Sequence, residues 1–150
     1  MIPDYKLYQG AVLADLVDLA ERGISISELL EEGRLHSYLI DQKVGLHVKH
    51  SGARLSPWQF TFSPENRSSL EKLSKTVEHV FVVLVCWLDG IVALSSTEWS
   101  VLLGADHARQ GWIRAERRKR GLYTITGSAG SLSYKKEQGV CSVVSTLGAP

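Results

Sequence analysis

Residues 80–94 constrain this chain more than any other stretch. They read Val-Phe-Val-Val-Leu-Val-Cys-Trp-Leu, then Asp89-Gly90, then Ile-Val-Ala-Leu. Two apolar runs rich in β-branched and aromatic residues, separated by Asp-Gly, predict a β-hairpin, because both central residues of a type I′ turn need positive φ. The expected register sets Leu88 opposite Ile91 and Trp87 opposite Val92. Side chains alternate along a strand, so Phe81, Val83, Val85 and Trp87 face one way and Val82, Leu84, Cys86 and Leu88 the other. Both faces are apolar, which predicts a strand covered on both sides. A membrane-spanning helix is the competing reading, but the run breaks at Asp89-Gly90 well short of the roughly twenty apolar residues that a span needs.

A chain of 150 residues is expected to form a single domain, 1–150, with a sizeable core and no need of staples. Seventeen Lys and Arg stand against sixteen Asp and Glu, so attraction to nucleic acid or membrane has to come from local clusters rather than bulk charge. The two cysteines, Cys86 and Cys141, show no metal spacing, and a buried thiol fits a reducing compartment. The opening Met-Ile-Pro-Asp-Tyr-Lys lacks the features of a secretory signal. The expected location is cytoplasmic, with no membrane partner.

Local patterns place the other elements. Leu13, Leu16, Val17 and Ala20 recur at helical spacing over residues 10–21, closed by Gly23. Ser25-Ile-Ser-Glu28 is a capping-box pattern and predicts a second short helix through Leu29, Leu30 and Glu32 to Gly33, although the same residues also alternate like a strand. Residues 34–41, 44–50 and 58–62 read as three strands of an antiparallel meander with one apolar and one more polar face. Ser63-Pro64-Glu65 starts a helix of about fifteen residues, with Leu70, Leu73 and Val77 on its apolar stripe. Ser95-Ser-Thr-Glu98 caps another, carrying Trp99, Leu102 and Leu103 and ended by Gly104. Residues 112–127 predict a second hairpin with Arg117-Arg-Lys-Arg120 at its tip. Residues 131–135 add an edge strand, and 137–150 form a loosely held tail. The fold class expected is α/β or α+β, a mixed β-sheet of about five or more strands flanked by helices. The 80–94 hairpin lies at its centre, between the helices at 10–21 and 65–78.

The order helix, three-stranded meander, helix, buried strand over residues 10–94 resembles the core of the PD-(D/E)XK nuclease superfamily, the restriction-endonuclease-like fold. In that family an Asp near the end of one strand and an acid-x-Lys on the next hold a divalent metal and activate water, and a Glu on the first helix assists. Two carboxylates suit a hard cation such as Mg²⁺, while the lysine stabilises charge developing on phosphate. The resemblance implies Asp41 as the first acid, Lys49 as the lysine and Glu21 as the helix acid. The position two before Lys49 is His47 rather than an acid, and imidazole is a poor ligand for Mg²⁺. The reading is therefore a nuclease-like domain without its catalytic set, with no metal and no cofactor assigned. The residue-level alternative is a solvated turn Asp and polar residues on a half-buried strand. His47 and His50 point to opposite faces of a strand and share no ligand set. No Gly-x-Ser-x-Gly elbow, dinucleotide fingerprint or Walker sequence occurs.

The basic tip is the second functional signal. Arg114, Arg117, Arg118, Lys119 and Arg120, with Arg109 nearby and Trp112 and Tyr123 flanking, combine cations with aromatic rings, the usual make-up of sequence-tolerant nucleic-acid contacts. A solvated hairpin end is the plainer reading. Trp58, Phe60 and Phe62 are expected in the core, with Trp58 partly exposed beside Pro57. The function expected is a non-catalytic domain contacting nucleic acid through this hairpin and Lys49. The alternatives are an active Mg²⁺-dependent nuclease and an interaction or scaffold domain, in which the edge at 131–135 pairs with a partner or with a second copy as a homodimer.

Overall fold

The structure is a computed structural model that describes residues 1–29 and 37–148; the second half of the helix expected after Ser25 lies outside them. In chain order come α1 (Asp4–Ala20), β1 (Ile26–Leu29), β2 (Ser37–Ile40), β3 (Val44–Ser51), β4 (Trp58–Phe62) and α2 (Pro64–Thr76). They are followed by β5 (His79–Cys86), β6 (Gly90–Leu94), α3 (Ser96–Leu103), β7 (Gly111–Glu116), β8 (Thr124–Gly127) and α4 (Cys141–Leu147). The fold is α+β. A five-stranded mixed sheet has the order β1-β2-β3-β5-β6, and a three-stranded antiparallel sheet the order β4-β7-β8. β1, β2 and β3 form an antiparallel meander, and β3 runs parallel to β5, with β4 and α2 in the crossover between them.

β5 is buried from Val80 to Cys86, and each such Val, Leu or Phe side chain contributes on the order of 1.5–3 kcal/mol on leaving water. Its alternation divides the core in two. Val80, Val82, Leu84 and Cys86 face a cluster completed by α2, α3 and the inner side of the small sheet. Phe81, Val83 and Val85 face a second cluster closed by Val12 and Leu16 of α1 and Val143 and Leu147 of α4. The two-sided burial expected of this strand holds. β3, rather than the hairpin, is the central strand.

Several expectations change, each for a nonlocal reason. The hairpin register pairs Cys86 with Gly90 and Val85 with Ile91, so Trp87, Leu88 and Asp89 form the turn. Trp87 takes φ 47°, and the amide of Asp89 donates to the carbonyl of Cys86 at 2.9 Å. Gly90 is required here by close packing: a Cβ would come within 2.6 Å of the Tyr123 hydroxyl. The residues from Ile26 extend as β1 because Ile26 and Glu28 pair with Ile40 and Tyr38, which overrides the capping pattern. β4 leaves the meander and pairs with β7. β2 is buried on both faces, as is the first part of β3, so these strands lack the polar face expected of them, and only β1 and the end of β3 meet solvent. Helix α1 starts at Asp4 and buries Gln9, Val12 and Leu16, leaving Val17 exposed. Trp58 is 2% exposed, its indole N–H donating to the carbonyl of Ala53 at 2.7 Å. The segment expected as a tail forms α4 and places Val140, Val143 and Leu147 in the core.

The local helix signals hold. Ser63 caps α2 in a capping box with Asn66, and Ser95 caps α3 in one with Glu98. Glu98 does more than cap. Its carboxylate accepts from the Ser95 amide at 2.9 Å, from Lys136 Nζ at 2.9 Å and from the Tyr134 hydroxyl at 2.7 Å, tying residues 134–136 to α3. Burial alone would raise its pKa, but these three donors outweigh burial and hold the carboxyl below its usual range. Such a group contributes stability that is complete above the unfolded value, about 4.3 for Glu, and that is lost as pH falls through the lowered folded value. Urea midpoints should hold steady above about pH 5 and fall below it, with a shallower fall in Glu98→Gln. Equal acid slopes in the two proteins would remove Glu98 as a contributor.

Candidate nucleic-acid interface

Alternation along the small sheet separates a buried face from an open one. Trp58, Phe60, Phe62, Ile113, Ala115 and Ile125 point into the core. Gln59, Thr61, Trp112, Arg114, Glu116, Thr124 and Thr126 occupy the alternate positions and are exposed or half-buried. Register builds the centre of this face: Gln59 lies opposite Arg114, which lies opposite Thr126, and Thr61 lies opposite Trp112. Arg114 Nη2 donates to Gln59 Oε1 at 2.9 Å, and its guanidinium carbon stands 5.5 Å from the centroid of the Trp112 ring. A cation and an indole are thus fixed side by side on a β surface.

At one end of the sheet the β7–β8 connection carries the basic run. Arg118, Lys119 and Arg120 are exposed, and among the described residues none of their side chains enters an ion pair or hydrogen bond. The turn is held by the amide of Gly121 donating to the carbonyl of Arg118 at 2.8 Å. A cleft of about 490 Å³ beside it has Arg117, Arg118, Thr124 and Lys135 in its wall, with Glu116 as its acid.

Arg117, unlike its three neighbours, is held by partners. Its Nε donates to Asp89 Oδ2 at 2.7 Å and its Nη2 to the carbonyl of Asp89 at 2.7 Å. The Tyr123 hydroxyl donates to the same carboxylate oxygen at 2.5 Å, and the guanidinium carbon lies 4.3 Å from the centroid of the Tyr123 ring. Arg117 and Tyr123 therefore tie the small sheet to the turn of the β5–β6 hairpin. Cys86, beneath them, is pushed up to about 12 by burial and by Asp89, which makes it an inert thiol.

The residues named through the nuclease resemblance do not converge. Asp41 sits in the β2–β3 turn with φ 53°. There it accepts from the Ser25 amide at 2.9 Å and from Arg22 at 2.7 Å, which hold its carboxyl below the usual range. Glu21 is exposed at the C-terminus of α1, beside Arg22 at the same end of the molecule. Lys49 lies at the other end of β3, about 17 Å from Val44 at a strand rise of 3.3 Å per residue. Its ammonium donates to the carbonyl of Thr61 and to Asn66 Oδ1 at 2.9 Å, and stands 4.9 Å from the centroid of the Phe62 ring. Burial pulls its pKa down. His47 is 1% exposed, with Nδ1 3.3 Å from Ser37 Oγ. A buried imidazole and a distant carboxylate do not fit Mg²⁺, and among the described residues no group of three His, Cys, Asp or Glu is arranged to hold a metal. The 131–135 segment lies along β8 through the bridges Thr126–Ser131 and Tyr123–Lys136. No helix among the described residues is long and apolar enough to cross a membrane.

Three groupings had no local signal: Asp89 with Arg117 and Tyr123, Glu98 with Tyr134 and Lys136, and the buried Arg67 on α2 with the carbonyls it holds. The bonded partners lie 28 to 42 residues apart, so only tertiary contact joins them. Comparison with protein-family models, with curated proteins and with solved structures finds no match.

The hairpin tie carries a stability prediction. Asp89→Ala removes the carboxylate that pairs with Arg117 Nε and accepts from the Tyr123 hydroxyl and should destabilise the fold by about 2–4 kcal/mol in urea unfolding. A change below about 0.5 kcal/mol, the level of an ordinary surface substitution, would show the tie to be dispensable.

Proposed function

We propose that this domain contacts nucleic acid through the open face of the small sheet and the basic hairpin tip, and does not cut it. The observation that carries the reading is that Arg118, Lys119 and Arg120, free of ion pairs among the described residues, occupy the connection at one end of a sheet whose outward row holds Arg114 beside Trp112. Unpaired cations attract phosphates and release counterions, and an indole offers a stacking surface that accepts any base. Arg117 lines the cleft beside the tip but is held by Asp89, and Lys49 is held by Asn66, so neither is counted among the free cations of this surface. The order α1, antiparallel meander, α2, then β5 parallel to β3 supports reading the larger sheet as a nuclease-like core, with the small sheet as the binding element. A core without convergent acids supports binding over cleavage.

Fluorescence anisotropy with single-stranded and duplex DNA tests the reading. Binding should weaken with salt, and neutralising Arg118, Lys119 and Arg120 together should flatten the log–log salt slope by roughly 2–3, at about 0.7–0.9 per phosphate contact. Trp112→Ala should cost about 1–3 kcal/mol on single strands, the worth of one stacked base. Salt-independent binding, or binding indifferent to the triple variant, would overturn the proposal. Incubation of DNA with Mg²⁺ should leave the strands intact; nicking that Lys49→Ala abolishes would restore the cutting reading.

A further inference from the structure

Arg67, in the N-terminal half of α2, is 4% exposed. Its Nη1 donates to the carbonyl of Arg109 at 3.1 Å and its Nη2 to the carbonyl of Gly104 at 2.6 Å. These bonds clamp the α3–β7 loop onto α2, but both acceptors are uncharged and together use two of the guanidinium's five N–H donors. Among the described residues no carboxylate forms a salt bridge with Arg67, and the charge that reaches it is that of Asp106, which itself pairs with Arg109. Buried charges are ordinarily paired, since an unpaired one loses its hydration without return. Beside Arg67, between α2 and α3, opens a cavity of about 250 Å³ that also takes Trp99, Ser100, Leu103 and His107 into its wall. That volume lies below the roughly 300–1,000 Å³ of sites for whole drug-sized ligands, so it suits a small group.

We propose that this cavity binds a phosphate group, with Arg67 as the anchoring cation and Ser100 and His107 as further hydrogen-bonding groups at its mouth. The three groups come from α2, α3 and the loop after α3. Approach from separate directions suits a tetrahedral oxyanion, and the guanidinium fork matches phosphate oxygens. The nearest acids are Glu71, whose Oε2 is 4.0 Å from His107 Nε2, and Asp106, which pairs with Arg109 at 3.5 Å. Their side chains are 41% and 62% exposed, so solvent and salt screen them while Arg67 stays covered. The site is separate from the open face of the small sheet and does not depend on the nucleic-acid reading. Inorganic phosphate and the terminal phosphate of a strand share the required chemistry.

Titration of the ¹⁵N-labelled full chain with inorganic phosphate, at constant ionic strength against chloride, tests the proposal. Saturable shifts are expected at the amides of Gly104, Ala105 and His107. Ser100→Leu, a substitution on the exposed side of α3 that fills the mouth, should weaken the response about tenfold with the unfolding midpoint unchanged, and Arg67→Lys, which keeps charge but loses the fork, should weaken it comparably. If Arg67→Lys fails to fold, the Ser100 variant decides. Absence of saturable shifts, or an unchanged titration in Ser100→Leu, would overturn the site. The source is read by competition with oligonucleotides bearing or lacking a terminal phosphate, in a protein with Arg118, Lys119 and Arg120 neutralised. Displacement by the phosphorylated oligonucleotide alone upholds the site for strand ends; displacement by neither upholds it for free phosphate, and displacement by both equally would overturn terminal-phosphate recognition.

Discussion

A strand that is apolar on both faces has to be covered on both, and the architecture follows from meeting that requirement for β5. One side is closed by two helices, α1 and α4, whose Val12, Leu16, Val143 and Leu147 meet Phe81, Val83 and Val85. The other is closed by α2, α3 and a second sheet, whose aromatic row of Trp58, Phe60 and Phe62 meets Val82, Leu84 and Cys86. Because three strands rather than a further helix supply that second cover, their outward side chains form a second face that carries Gln59, Thr61, Trp112 and Arg114. The candidate interface is a by-product of how the core is closed.

The node at Asp89 then sets how the two sheets are joined. A carboxylate at the β5–β6 turn receives Arg117 and Tyr123 from the small sheet, and Gly90 beside it leaves room for the Tyr123 hydroxyl. One member of a run of four basic residues is thereby turned inward and the other three are left in solvent. Charge clustering in a sequence cannot make that distinction, since the partner of Arg117 lies 28 residues away. The same limit applies to Lys49, which a motif marks as catalytic and which here packs against Phe62 and Asn66.

Much of the fold was legible because its signals are local. Ser63 and Ser95 cap helices three residues before the groups that answer them, and the alternation of residues 58–62 and 111–116 is a property of each strand alone. What could not be read was the pairing. An alternating strand such as β4 states which of its faces is apolar, not which neighbour it will have. Ser25–Glu28 carries a helix-start pattern and an alternating pattern at once, and pairing with β2 decided between them. The candidate site was half legible: its basic tip and Trp112 stand out as residue types, while their separation from Arg117 and their alignment with Arg114 do not.

The sequence by itself determined that residues 80–94 form a hairpin with a doubly buried first strand, that α2 and α3 begin at their serine caps, and that a basic tip ends the second hairpin. Each follows from side-chain alternation or from hydrogen bonds spanning three or four residues. Only the tertiary structure decided that β4 joins β7, that Asp89 takes Arg117, that Asp41 and Lys49 stand at opposite ends of β3, and that Arg67 is buried without a salt bridge among the described residues. Those outcomes depend on contacts between segments distant in the chain, where the winning partner is set by which arrangement covers both faces of the central strands and leaves the fewest buried polar groups unmet.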